Sequence, residues 1–74
     1  MINQKKAILR YLEDYGSITP MEAFADLGIT KLATRISEMR LMDGLDFDIE
    51  MIESKNRYGR KVRYARYTLK EETV

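Results

Sequence analysis

The chain lacks the residue types on which catalytic and metal sites are most often built. It has no cysteine and no histidine among its 74 residues. Without cysteine no disulfide cross-links the fold, and no thiolate is available as a nucleophile or metal ligand. The sequence also has no glycine-rich phosphate loop and no cluster of metal ligands. We therefore expect a protein that is not an enzyme, with no cofactor and no bound metal.

Long apolar runs are also missing. No stretch approaches the roughly 20 apolar residues that a transmembrane helix needs, and the first residues lead into an amphipathic pattern. We expect no membrane partner and a cytoplasmic location in a host cell. The length allows one domain, and 45% hydrophobic residues are enough for a folded core. The predicted domain spans residues 1–74, with an ordered core at about 4–69.

Two adjacent stretches each lack charge of one sign. Residues 43–53 contain five acidic residues and no basic one, whereas residues 54–66 contain six basic residues and no acidic one. The formal net charge is only +1 because the two stretches offset each other. Segregation of this kind predicts a polar molecule with one strongly basic end.

Cap residues and periodicity predict a first helix at about residues 4–14. Asn3 can act as its N-cap, and Gly16 supplies a stop. Five apolar residues at helical spacing form one stripe: Ala7, Ile8, Tyr11, Leu12 and Tyr15.

A second, short helix is predicted at residues 20–27. Thr19 as N-cap, Pro20 at the first helical position and Glu22 at the third form a capping box with a preset φ. Gly28 ends the helix. The side chains expected to face inward are Met21, Phe24 and either Ala25 or Leu27.

A third helix is predicted at about residues 31–42, with Thr30 as its N-cap and Asp43-Gly44 at its end. Its core face repeats at positions i, i+4 and i+7 as Leu32, Ile36 and Met39. The opposite face is polar, and it is predicted to present Lys31, Thr34, Arg35 and Glu38.

The last third of the chain has the pattern of a β-hairpin. Phe47, Ile49 and Met51 alternate with acidic residues, which is the period of a half-buried strand. Residues 54–61 are predicted to form the hairpin loop and residues 62–69 the return strand. Its inward side chains are expected to be Ala65, Tyr67 and Leu69. The predicted fold is therefore α+β, a winged helix-turn-helix: three helices followed by a two-stranded antiparallel hairpin wing.

Two helices joined by a glycine-containing turn form a helix-turn-helix, whose second helix lies in the DNA major groove. Arginine there can bind guanine, threonine a thymine methyl group and glutamate a cytosine amine. The helix N-terminus favours a phosphate, and the basic hairpin tip can follow the backbone or enter the minor groove. The predicted DNA-binding residues are Thr30, Lys31, Thr34, Arg35, Glu38, Lys55, Asn56, Arg57, Tyr58, Arg60, Lys61 and Arg63.

Each of these features also has a structural interpretation. The basic tip can be a solvated loop that keeps a sheet edge charged, and the polar face of the third helix can be an ordinary wet surface. Arg40 can brace the hairpin by a hydrogen bond or contact a phosphate. The DNA-binding interpretation is favoured because the helix face and the basic hairpin occur together, in the order that a winged helix requires.

The sequence resembles a family of small winged helix-turn-helix domains found in phages and other mobile elements. The resemblance covers roughly residues 4–69. The segments that carry it are SITPMEA at 17–23, LGI at 27–29, LATRISEMR at 32–40, KNRYGRK at 55–61 and YARYTL at 64–69. It implies a winged helix and, by fold, DNA binding. Winged helices also serve as protein-interaction modules.

The leading hypothesis is a double-stranded DNA-binding protein, a regulator of transcription or an accessory recombination or replication factor of a phage or mobile element. The alternative is a winged-helix module that binds or inhibits a host protein. The acidic stretch motivates the alternative, because its carboxylates must point away from DNA, neutralise the basic strand beside them or meet a protein. No surplus apolar helix is available as an interface, so we expect a monomer or a weak dimer.

Overall fold

Three helices precede a two-stranded antiparallel hairpin, which confirms the predicted fold class. The computed structural model describes residues 3–70, so the predicted span of 1–74 extends past the described residues at both ends. The elements are α1 (Gln4–Tyr15), α2 (Pro20–Leu27), α3 (Leu32–Met42), β1 (Phe47–Lys55) and β2 (Lys61–Leu69). None of the described helices has the length and apolar character needed to cross a membrane.

The ends of α1 follow its predicted caps. The side-chain oxygen of Asn3 accepts a hydrogen bond from the Lys6 amide at 3.2 Å. Gly16 ends the helix in the left-handed region at φ 85°, and its amide donates to the Leu12 carbonyl. This conformation favours glycine, which has no Cβ to clash. The helix is one residue longer than predicted, because Tyr15 still has helical geometry.

The start of α2 is fixed by the predicted capping box. The Thr19 hydroxyl accepts from the Glu22 amide at 3.3 Å, and the Glu22 carboxylate accepts from the Thr19 amide at 3.0 Å. These two bonds satisfy amides that would otherwise have no partner at the helix end. The bounds of α2 are those predicted.

The predicted start of α3 is wrong. The helix begins at Leu32, Lys31 occupies the N-cap position, and no side chain caps the helix. Thr30 lies one residue further upstream, in an exposed bend. The buried neighbours of this segment, Ile29 and Leu32, both point into the core. Their burial sets the path of the turn and leaves Thr30 outside the helix end.

The core lies between the helices and the base of the hairpin. Its buried residues from the helices and turns are Ile8, Tyr11, Leu12, Ile18, Ala23, Ile29, Leu32, Ile36 and Met39. The hairpin contributes Phe47 and Tyr67, with Ala65 and Leu69 half-buried against them. The predicted core face of α3 and the predicted inward face of β2 are thus confirmed.

Several predicted inward side chains are exposed instead. In α2 the buried residue is Ala23, so Met21 and Phe24 lie on the opposite side, exposed by 77% and 63%. Tyr15 is exposed as well, beyond the last buried position of α1. Ile49 and Met51 lie in the predicted strand, but both are exposed, and Phe47 is the only buried residue of β1. The wing therefore projects beyond the core.

A short backbone pairing joins the hairpin to the helices. Ile18, in the link between α1 and α2, exchanges two hydrogen bonds with Tyr67 of β2, each 2.9 Å long. Both residues are buried. Since buried amides and carbonyls are costly to leave without partners, this pair fixes where β2 leaves the core.

A side-chain network joins α1 to α2. The Tyr11 phenol donates to Asp26 at 2.7 Å and to Glu22 at 3.4 Å. The hydrogen bond to Asp26, burial of the ring and the nearby Glu22 charge all raise the pKa of Tyr11 above its ordinary value. The phenol thus remains a protonated donor to a higher pH than an ordinary tyrosine does. Because Glu22 also belongs to the capping box, one carboxylate serves both connections.

The two threonines that the sequence proposes as N-caps should differ in their effect on stability. Thr19→Ala removes a buried cap, and it should lower the free energy of unfolding by about 1 kcal/mol and the melting temperature by about 4–8 °C. Thr30→Ala, the matched control, removes an exposed hydroxyl that caps nothing and should stay within about 0.5 kcal/mol of the parent. Thermal and urea denaturation measure both changes. Equal destabilisation by the two variants would contradict the assigned caps.

Candidate nucleic-acid interface

The outward face of α3 is centred on Thr34, Ser37 and Leu41. With 3.6 residues per turn, these positions lie opposite the buried stripe of Leu32, Ile36 and Met39. All three are exposed. Two hydroxyl groups and one aliphatic side chain therefore form the central strip of the helix surface.

Arg35 and Glu38 lie on the flank of α3 that faces α1. Both side chains are about two-thirds buried, and an Arg35 Nη1 to Glu38 Oε1 bond of 2.6 Å joins them. The Arg35 Nε also donates to the side-chain oxygen of Gln4 in α1 at 2.9 Å. Arg35, which we predicted to face outward as a base reader, thus braces α3 against α1.

Sequence reasoning missed Ser37 and Leu41, and it left Arg40 between two roles. Leu41 interrupts the polar pattern, so the pattern of polar residues alone predicts an outward face that includes Arg35 and Glu38. A helical-wheel projection of the sequence, centred on Leu32, Ile36 and Met39, places Thr34, Ser37 and Leu41 on the outward side. Arg40 is exposed beside a shallow surface depression that also includes Gly44 and Leu45. Its side chain makes no hydrogen bond or ion pair to the hairpin residues that the structure describes.

The wing tip is a tight loop closed by Asn56. Its side-chain oxygen accepts from the amides of Tyr58 and Arg60, at 2.9 and 3.0 Å. Its backbone amide donates to the Arg60 carbonyl at 2.9 Å, and Gly59 has a positive φ of 77°. Asn56 thus holds the loop from inside, while Arg57 and Tyr58 project outward.

The loop is shorter than predicted, because the ladder continues to the pair of Lys55 and Lys61. The loop between the two strands therefore comprises only residues 56–60. The basic side chains at the tip are exposed, and so is Tyr58, by 87%. The hydrogen-bonded strands therefore extend up to the loop and place these side chains at the end of the wing furthest from the core.

The acidic residues of β1 neutralise the basic residues next to them. Glu50 forms an ion pair with Arg66, its partner across the ladder. Glu53 lies 3.7 Å from Arg63, likewise directly across the ladder. Lys70 is within 4.0 Å of the carboxylates at 46 and 48. Asp43 lies 3.5 Å from Lys5 of α1. Of the three roles considered for the acidic stretch, the structure shows neutralisation of basic residues of the same chain, and Arg63 is one of those neutralised.

The unpaired positive charge is concentrated in two places. Within residues 3–70, the basic side chains with no carboxylate inside 4.0 Å are Lys6, Lys31, Arg40, Lys55, Arg57, Arg60 and Lys61. All except Lys6 lie on α3, at its N-cap or at the wing tip. The near-neutral total charge therefore conceals two cationic surfaces.

An apolar groove of about 1000 Å³ lies between α2 and β2. Met21, Phe24 and Tyr64 contribute its exposed apolar surface, and Thr30 and Arg66 lie at its polar positions. Exposed apolar surface of this kind is typical of interaction sites.

A helix-turn-helix followed by a hairpin wing defines a winged helix-turn-helix domain. The winged helix-turn-helix domain family matches residues 3–72, and the chain belongs to that family. No curated protein and no solved structure matches the chain significantly.

The role of Asn56 in closing the loop can be measured without any ligand. Asn56→Ala removes the shared acceptor, so the amide hydrogens of Tyr58 and Arg60 should exchange about fivefold faster, as expected for one lost hydrogen bond of about 1 kcal/mol. Asn56→Asp keeps an acceptor and should keep the protection. Hydrogen exchange followed by NMR gives both rates. Unchanged rates in Asn56→Ala would show that the side chain does not hold the loop.

Proposed function

We propose that the domain binds double-stranded DNA, with α3 in the major groove and the wing tip on the backbone or in the minor groove. The observation that carries this proposal is the location of the unpaired cations. Lys31 and Arg40 lie at either end of α3, and four more cations lie at the wing tip: Lys55, Arg57, Arg60 and Lys61. Two cationic surfaces on adjacent elements suit a polyanion that offers both a groove and a backbone.

The two surfaces differ in the contacts they can make. The tip presents charges that can neutralise phosphates whatever the sequence, releasing condensed counterions. The strip on α3 presents Thr34 and Ser37, whose hydroxyls can donate to and accept from base edges. We infer that the wing supplies affinity and that α3 supplies base preference. Arg35 positions α3, and Asn56 positions the wing tip.

The resemblance to small domains of phages and mobile elements supports a more specific role. We propose a regulator of transcription or an accessory factor of recombination or replication, acting on DNA in the cytoplasm of a host cell. A single domain of this size offers one recognition helix, so a monomer would read a short site. Weak pairing on DNA would extend that site to two half-sites.

A protein-interaction role is the second candidate, and the groove between α2 and β2 favours it. Met21 and Phe24 are large, exposed and adjacent to Tyr64. Such a surface can accept a partner protein without involving the cationic surfaces. The acidic residues of β1 do not contribute to this argument, because their carboxylates are paired with basic residues of β2 and with Lys70.

Removing one charge at the wing tip should weaken binding to every duplex. Arg57→Gln removes an unpaired, exposed cation, and it should reduce the slope of log K against log salt by about one. Arg10→Gln is the matched control: it changes the net charge equally, but Arg10 lies on α1 and is paired with Asp14. The control should keep the parent slope. Fluorescence anisotropy with several duplex sequences, at a series of salt concentrations, measures the affinities.

Two results of that experiment would contradict the proposal. Failure of the parent protein to bind any duplex at low salt would remove DNA binding altogether. An equal reduction of the slope by Arg10→Gln and Arg57→Gln would show only a general effect of net charge. Retained duplex binding in a Met21→Ala, Phe24→Ala double variant would separate the DNA surface from the groove.

A further inference from the structure

Leu41 is an apolar residue in an unexpected place. It is 84% exposed, more than any other large apolar side chain of the described helices. A single exposed leucine is common on protein surfaces and by itself indicates nothing. Leu41, however, lies four residues after Ser37 and seven after Thr34, so it continues their strip along the outward face of α3.

The strip has the dimensions and surroundings of a base-reading surface. Seven residues of helix rise about 10.5 Å, which corresponds to about three base pairs at 3.4 Å each. Lys31 precedes the strip at the N-cap of α3, and Arg40 lies next to Leu41; neither has a carboxylate partner among residues 3–70. A strip with an aliphatic group in it and a free cation near each end suits an anionic partner that also offers an apolar contact.

We propose that Leu41 recognises the C5-methyl group of thymine in the major groove. This inference rests on the proposed DNA-binding function and specifies part of the sequence that is recognised. The thymine methyl is the only apolar group that a base pair presents in that groove. A leucine side chain has no hydrogen-bonding group. Against any other base edge it would cover donors or acceptors without replacing their bonds to water.

A second copy of the chain fits this surface less well. Two copies meeting through their outward strips would bring Lys31 and Arg40 of each copy close to those of the other. Like charges held together in an interface are costly. The cations favour a polyanion instead, and DNA places phosphates on both sides of its major groove.

The test removes the methyl group from the DNA and the side chain from the protein separately. A duplex enriched from a random pool by the parent protein is resynthesised with each thymine in turn replaced by uracil, which lacks only the methyl. One replacement should weaken parent binding about fourfold, as expected for one buried methyl group. Leu41→Ala should bind the thymine and uracil duplexes equally. Met42→Ala, the control, changes an exposed neighbour outside the strip and should keep the methyl dependence.

Three outcomes decide between the possibilities. Equal parent affinity for every thymine and uracil pair would overturn the role of Leu41, while leaving DNA binding intact. A methyl dependence that persists in Leu41→Ala would also overturn it, because another group would then contact the methyl. If no duplex is enriched and none is bound at low salt, the proposed function fails, and this inference fails with it. Circular dichroism of both variants verifies that α3 is still folded.

Discussion

The backbone pairing of Ile18 with Tyr67 is the constraint on which the geometry of the candidate interface depends. It places β2 against the link between α1 and α2, and the ladder then places β1 beside β2. The buried stripe of α3 packs in the same core. Because both elements are fixed to one core, the wing tip and the outward strip of α3 hold defined positions relative to each other.

Electrostatic pairing determines which charges are available to a ligand. Glu50 and Glu53 neutralise the basic residues directly across the ladder, so the part of the wing between its base and its tip is nearly neutral. The tip, residues 55–61, has four basic residues and no acidic one, and it remains cationic. Exposed ion pairs of this kind add little stability. Their main consequence is to confine positive charge to the part of the wing that projects furthest from the core.

Local signals predicted most of the fold, and long-range contacts account for what they missed. The bounds of α1 and α2 were predicted to within one residue from Asn3, Gly16 and the capping box at Thr19. This is possible because caps act within a single turn. Arg35, in contrast, bonds to Glu38 three residues along the helix and also to Gln4, 31 residues away, and the second contact has no local signal. The inward side of α2 was also unpredictable, because an eight-residue helix with apolar residues on two sides has no single apolar stripe. The ion pairs of the wing depend on which residues of β1 and β2 face each other across the ladder. The alternation of apolar and polar residues does not determine that register.

The central claim is that the outward strip of α3 and the wing tip together form a surface for duplex DNA. The most direct test is an NMR titration of the isotope-labelled protein with a short duplex at low salt. The account predicts that amide shifts change at Thr34, Ser37 and Leu41 and in the loop of residues 56–60, and that they stay constant around Met21 and Phe24. Shifts confined to the groove between α2 and β2, or no shifts at all, would contradict it.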